Sequence, residues 1–529
     1  MISLKLTQKN FWDNEVEGYI FLMGENLDSV SDLATLDTIE QDFYPNLKII
    51  LKKHMFTGKK NETFVLTGMR NGKLVQLLFA GVGKLDKSWD VNLEVIRRTY
   101  ASVIQRMKKL AIPSAIIALP DISFIIPSSG ARTEEAEGRL EVSGARNFSR
   151  EELLKQFALV AHMANYEFTQ FKSSAPKDPW SCTISIEINE QCDSKTYQTY
   201  LETGDIMGKA INQARDWIDL PGNIMTPTNL SEQARKISQE HDLKYTVFGR
   251  EKALELGMGA FCAVDAGSDQ DGKFVILEYH TKKSGAPTIA LCGKGITFDT
   301  GGISLKPATG MTGMKYDMSG AAAVIATMKI LAQLKPEINV IGLTPIVENM
   351  PSGKAARQDD VVTAMNGKSI EIKNTDAEGR LVLSDTLCYA EKFYKPDIII
   401  DIATLTGACS IALGHFYTAL LTRDDILADT LFNLGKTTGD RVWRLPLSDD
   451  YKPAFGSEVA DVSNTSSPAY MAGTIVGGAF LETFVDKARW VHLDIASTAH
   501  DVPGINYVGK GSTGAGIRLL VEFVMNYHG

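Results

Sequence analysis

No HExxH, no GxSxG and no pair of histidines four residues apart occurs among the 529 residues. A helical histidine–zinc site and a serine nucleophile elbow of those spacings are therefore excluded. The six cysteines, Cys182, Cys192, Cys262, Cys292, Cys388 and Cys409, form no CxxC pair. They read as small buried hydrophobes rather than as disulfides or zinc ligands. No stretch reaches the roughly 18 apolar residues of a membrane span. The opening MISLKLTQKNFWDNE has no apolar core after its first charge, so no signal peptide is expected and a cytoplasmic location fits. Positive charge is not in excess: the net charge is −9, which argues against nucleic acid or an anionic membrane as partner.

What is present suits a soluble globular chain, 44% hydrophobic and 22% charged. The length suggests roughly two to four domains. In the first third, GYIFLMG, TFVLTG, VQLLFAGVG and SAIIALP read as strands, and LEVIRRTYASVIQRMKKL as an amphipathic helix. A polar, Gly/Ser-rich stretch between Pro127 and Phe148 reads as an exposed loop, and a second helix is expected from about Glu151 toward Phe171. SSAPKDPW, with two prolines, marks a boundary, followed by TISIEI as a strand. A helix over about 197–217 would link two domains. Beyond it, PTIALCGKG, INVIGLTPIVE, PDIIIDIATLT and WVHLDIAST are near-continuous apolar runs, the mark of strands covered on both faces. The expected fold is α/β: a smaller N-terminal α/β domain (1–185) and a larger C-terminal α/β/α domain (186–529) with a mostly parallel central sheet.

Two glycine motifs are decoys. Gly509–Gly514 spells GxGxxG, but only fifteen residues follow, too few for a dinucleotide-binding unit, so a flexible loop is expected. Gly504–Gly511 nearly spells a P-loop, but Gly511 stands where Ser or Thr must hold magnesium. His492 reads as a satisfied core or supporting histidine rather than a ligand.

The most informative segment is Asn374–Leu381, NTDAEGRL. Asp376 and Glu378, two residues apart on an extended segment, would face one point, and a cation is the natural occupant. The helix read in LVLSDTLCYAEKF follows at once, so a helix cap explains the same carboxylates and is the ordinary reading of the segment taken alone. Two further segments bear on the choice. Gly293–Pro307, GKGITFDTGGISLKP, carries Lys294, Asp299 and Lys306, and Met314–Gly320, MKYDMSG, carries Asp317. All lie in turns beside core strands, where open α/β sheets place their sites. Four carboxylates in one cleft repel strongly unless cations balance them, and two divalent metals would do so.

These segments resemble the leucyl (cytosol) aminopeptidase family, the M17 metallopeptidases. NTDAEGRL is similar to that family's signature octapeptide. GKGITFDTGGISLKP, MKYDMSGAA, ARDWIDLPGNIMTPT, ENMPSGKAARQDDVV and HLDIASTA also resemble family segments, from about Tyr197 onward, and the N-terminal third matches loosely. The resemblance implies a dinuclear-metal enzyme that releases N-terminal, preferably apolar, residues from peptides with a free N-terminus. It implies that Lys294, Asp299, Asp317, Asp376 and Glu378 hold two divalent ions, manganese or zinc, with Asp299 and Glu378 bridging. Lys306 and Arg380 take the catalytic positions, and Arg380 with backbone near Leu405 holds a bicarbonate. Met314, Asn374, Thr404 and Ala496 line the substrate pocket. It also implies a homohexamer. Two alternatives stand beside this reading: a DNA-binding role, against which the acidic charge weighs, and a purely structural relative, against which the intact site residues weigh.

Overall fold

A computed structural model describes residues 1–25, 39–41, 44–84, 89–119, 124–126, 146–188 and 193–528. These fall into two compact units. The first takes in residues up to 212 together with Gly504–Gly509, and the second takes in Gln213–Pro503 and Lys510 onward.

The first unit is built on a six-stranded sheet. Its strands run, edge to edge, Ile2–Thr7, Cys182–Glu187, Ser114–Ala118, Gly18–Gly24, Lys73–Gly83 and Thr63–Arg70. All neighbours are parallel except the last pair, the hairpin of Thr63–Arg70 with Lys73–Gly83. The strand Cys182–Glu187 lies between two others in this sheet, so SSAPKDPW is a connection within the first unit. The chain passes from one unit to the other at 212/213, inside the helix Ser194–Asp219, and not at 185/186. The helix expected to reach Phe171 spans Arg150–Asn165 and stops where Tyr166 turns extended. Aromatic and β-branched residues in YEFTQF favour that backbone. Residues 127–145, most of the stretch read as an exposed loop, lie outside the described residues, as does Cys192. The other five cysteines are buried and free, as their apolar surroundings suggest.

The second unit holds a nine-stranded sheet. Its centre is four parallel strands in the order Arg489–Asp494, Ile398–Ala403, Thr288–Gly293 and Asn339–Asn349. Gly295–Asp299 runs parallel to the end of Asn339–Asn349. One antiparallel strand flanks this centre on each side, Thr418–Leu421 on one and Lys273–Tyr279 on the other, and Lys244–Phe248 pairs antiparallel with Lys273–Tyr279 at the edge. The helices Ser319–Leu334 and Gly379–Tyr394 both pack on Thr288–Gly293, Asn339–Asn349 and Ile398–Ala403. Consecutive residues Ile289, Ala290, Leu291 and Cys292 are all buried, which requires cover on both faces. Because the four central strands are parallel, their carboxyl ends come out along one edge. Lys294, Asn349, Thr404 and Ala496 all lie at or just beyond those ends.

Candidate functional site

Each segment is held by a different local device. Lys294 is pinned between the sheet and a helix: its amide donates to Ile402 O on the neighbouring strand (3.1 Å) and its carbonyl accepts from Ala321 N in the helix Ser319–Leu334 (2.8 Å). Asp299 closes the strand Gly295–Asp299. Asp317 sits in a 3-10 turn, Met314–Met318, ahead of the small-residue helix. NTDAEGRL is not extended: Asp376 lies in a turn, in which the Asn374 side-chain oxygen accepts from its amide (2.9 Å). Glu378 is the residue before the helix, but its side chain makes no capping hydrogen bond. The cap account of these carboxylates therefore fails, and their convergence comes from the turn rather than from strand alternation. Gly379 is required here, because a Cβ would come within 2.7 Å of the Lys294 side chain.

One cleft of about 540 Å3 is lined by all the residues singled out above: Lys294, Asp299, Lys306, Met314, Asp317, Asn374, Asp376, Glu378, Arg380, Thr404, Leu405 and Ala496. Two groups share Glu378. Lys294 Nζ lies 2.9 Å from Asp317 Oδ1 and 2.8 Å from Glu378 Oε1, and donates to Thr404 O at 2.9 Å. On the other side, oxygens of Asp299, Asp376 and Glu378 lie within 4.8 Å of one another. Lys306 Nζ reaches Asp299 Oδ2 at 2.8 Å and Asp376 Oδ1 at 2.5 Å.

The electrostatics follow from burial. Desolvation pushes the carboxyls of Asp317, Glu378 and Asp376 above the usual carboxylate range, and neighbouring carboxylates add to it. Burial works against the charge on Lys294, but Asp317, Glu378 and Asp299 outweigh it and hold the ammonium form. Burial likewise opposes the charge on Lys306, and Asp299 and Asp376 outweigh it. Two buried oxygens, Asp317 Oδ2 and Glu378 Oε2, have no hydrogen-bond partner among the described residues. Buried acceptors of that kind call for a ligand. An all-oxygen set with one amine suits divalent metal ions, so the residues fit such ions.

Arg380 is buried, and desolvation lowers it to about 10 against the pull of Glu378 and Asp494. It remains charged at neutral pH. Its guanidinium lies 5.9 Å from the Phe480 ring centre and makes no hydrogen bond or ion pair among the described residues. In the turn whose backbone was expected to help hold an anion, the Leu405 amide donates to Asp494 Oδ1 (3.0 Å). The same carboxylate accepts from Thr406 Oγ1 (2.6 Å) and the Ala496 amide (3.1 Å), so Asp494 organises this turn.

Sequence reasoning missed the side chains that brace the loops. Asn349 Nδ2 donates to Asp299 Oδ1 (2.8 Å) and Thr375 O (3.0 Å). Asn464 Nδ2 donates to Asn374 O (2.6 Å) while its Oδ1 accepts from the amides of Lys373 and Asn374. Thr375 Oγ1 donates to Gly301 O (2.6 Å) and accepts from Ser304 N (2.8 Å). Nothing in the polar run around Asn464 signals this. Thr375 is legible only as part of NTDAEGRL. The cleft also takes in the stacked rings of Tyr316 and His500, 4.4 Å apart, which no motif announces.

The decoys resolve into structure. Ser512, in the GxGxxG match, is buried, and its amide and hydroxyl both donate to the Asp219 carboxylate at 2.9 Å. Arg215 Nε donates to its carbonyl (2.8 Å), so this is a packed turn and not a flexible loop. His492 is fully buried, with Nδ1 2.5 Å from Asp401 Oδ1, while its Nε2 has no hydrogen-bond partner among the described residues, so this core histidine is satisfied on one nitrogen only.

Residues 212–521 match the catalytic domain of the cytosol aminopeptidase family, and residues 25–141 match that family's N-terminal domain. A probable cytosol aminopeptidase of Stutzerimonas stutzeri is 38% identical over 508 residues, 96% of each chain. The cytosol aminopeptidase of Pseudomonas aeruginosa is 39% identical over 483 residues, 90% of this chain and 91% of that protein. A solved structure titled as the bottromycin maturation enzyme BotP in complex with Mn superposes with a TM-score of 0.79 at 28% identity, over 97% of this chain and 99% of the other. The family signature at Asn374–Leu381, the cleft it helps to build and the relatives that share the length of the chain agree: this protein belongs to the cytosol aminopeptidase family and is a peptidase that acts as an aminopeptidase.

Proposed function

We propose that the enzyme is a dinuclear-metal aminopeptidase of the leucyl type, cytoplasmic, removing N-terminal and preferably apolar residues from peptides. The observation that carries this is the pair of carboxylate groups sharing Glu378. Lys294, Asp317 and Glu378 form one pole, and Asp299, Asp376 and Glu378 the other. These residues would hold two ions, manganese or zinc, with Asp299 and Glu378 common to both. When bound, such ions supply Lewis acidity and an activated water at neutral pH.

The chain's own groups account for the rest of the reaction. Lys306, held charged between Asp299 and Asp376, is placed to stabilise negative charge developing on the scissile carbonyl oxygen. Arg380, buried, charged and without a protein partner among the described residues, would hold a planar bicarbonate at two points, and such an anion, when bound, would supply a proton shuttle. Met314, Asn374, Thr404 and Ala496 form the side-chain pocket around the first residue of the peptide. Thr404 does more than line it: Oγ1 donates to Asp317 Oδ1 (2.7 Å) and its carbonyl accepts from Lys294, which couples pocket to ligands.

Chelation should abolish hydrolysis of a leucyl substrate, and added manganese or zinc should restore it. A free peptide should be cut at its first bond, and its N-acetylated form should not be cut at all. Full activity in a sample verified as metal-free would sink the two-ion reading, and equal rates on blocked and free peptides would sink capture of the free amine.

A further inference from the structure

Asn349 is the last residue of the strand Asn339–Asn349, is buried, and lies opposite Asp299 in the register. Its side-chain amide reaches both loops that carry the candidate ligands. Nδ2 donates to Asp299 Oδ1 at 2.8 Å and to Thr375 O at 3.0 Å, one residue before Asp376. Its main-chain carbonyl accepts from Thr300 N (3.0 Å) and Thr300 Oγ1 (2.7 Å), so the strand end that bears the amide is itself tied to the Asp299 loop. The Gly301 amide also donates to Asp299 Oδ1, at 2.9 Å.

Asp299 therefore has one oxygen with two N–H donors and one, Oδ2, facing Lys306 at 2.8 Å. A carboxylate oxygen offers two lone-pair positions, so Oδ1 is fully used by the protein. Glu378 differs: its Oε2 has no protein partner among the described residues.

We propose that Asn349 is a positioning residue for the metal centre: its amide commits Asp299 Oδ1 to the protein, presents Oδ2 alone to the cations, and sets the spacing between the Asp299 and Asp376 loops. Two consequences follow. Asp299 would meet the cations through Oδ2, the oxygen that also faces Lys306, whereas Glu378 would meet them through Oε2 as well as through Oε1, which faces Lys294. Loss of the amide frees the Asp299 carboxylate to rotate and lets the two loops drift, which weakens cation binding before it disturbs the sheet. Hydrogen-bonded supports behind metal ligands are typically worth 10–100-fold in metal affinity.

The inference rests on the two-ion reading, so the test separates the two. Chelator-stripped wild type and Asn349→Leu, close in size but with no donor, are titrated with Mn2+ by calorimetry, and the melting temperature of each stripped protein is recorded. The expected result is a 10–100-fold weaker Mn2+ affinity in N349L, with activity recovered at high Mn2+. Equal Mn2+ affinity per folded molecule in the two proteins, whatever the melting temperature does, overturns the role given to Asn349. Wild type that takes up no Mn2+ overturns the metal reading itself. If N349L does not fold, Asn349→Ser goes through the same titration, because its hydroxyl stops short of Asp299. Wild-type affinity in N349S overturns the proposal equally.

Discussion

Lys294 and Lys306 are both lysines beside carboxylates, yet the proposed chemistry asks opposite things of them. Lys306 must stay charged to face a developing oxyanion, and its contacts with Asp299 and Asp376 keep it so. Lys294 must give up a proton to act as a ligand, although Asp317 and Glu378 hold it charged in the protein alone. Metal uptake therefore has to displace that proton. Calorimetric titration of the stripped enzyme with Mn2+ should give an enthalpy that changes with the ionisation enthalpy of the buffer. Lys294→Arg, which cannot deprotonate at neutral pH, should lower the bound metal from two equivalents to one and reduce activity by at least about 100-fold, a loss typical of a removed ligand or catalytic group. Two tightly bound equivalents in K294R would remove Lys294 from the ligand set. The ligand role proposed for Lys294 was not legible from the residue alone, because a lysine in a glycine-rich turn is ordinarily solvated. Its neighbours in the fold create the contrast with Lys306.

At the scale of elements, strand ends supply positions and loops supply directions. The ends of Thr288–Gly293, Gly295–Asp299, Asn339–Asn349 and Ile398–Ala403 deliver Lys294, Asp299, Asn349 and Thr404 to one edge. The loops that follow are packed against one another through Thr375, Ser304 and Asn349 with almost no slack. Gly302 marks how tight this is. It has φ +64°, and a Cβ would come 2.8 Å from Asn349 Oδ1 and 2.9 Å from Thr375 Oγ1. Gly302→Ala should therefore destabilise the protein by about 1–3 kcal/mol and weaken metal binding at the same time, since it pushes on the amide that supports Asp299. Thermal melts of the stripped and metal-loaded forms check both parts. A variant as stable as wild type with unchanged Mn2+ affinity would contradict the close packing described. The central strands and the two long helices were readable from the sequence because full burial on both faces leaves unbroken apolar runs. The turn at NTDAEGRL was misread as extended, because alternation of two carboxylates cannot tell a strand from a turn tied by its own Asn374. The GxGxxG stretch was misread as loose, because the anchor, Asp219, lies almost 300 residues away.

At the scale of the whole molecule, two compact units share one chain, and the candidate site belongs wholly to the second. No helix among the described residues is long and apolar enough to cross a membrane. The homohexamer implied by the family resemblance remains a proposal, and sedimentation of the metal-loaded enzyme should give a mass near six chains. Full leucyl-peptide hydrolysis by a species that sediments as a monomer would show that assembly is not needed for activity.

The amino-acid sequence by itself determined the α/β class and the apolar strands of the catalytic unit, since these depend on composition and period that survive without a fold, and its resemblance to a known family implied the candidate ligands. Tertiary structure alone decided which oxygen of Asp299 is available, that Glu378 serves two groups, that Leu405 offers no free amide, and that Asn349 and Asn464 hold the loops. The contacts that decide them join residues up to 91 positions apart, and no local pattern along a chain records the partner a side chain meets only after the strands have come together.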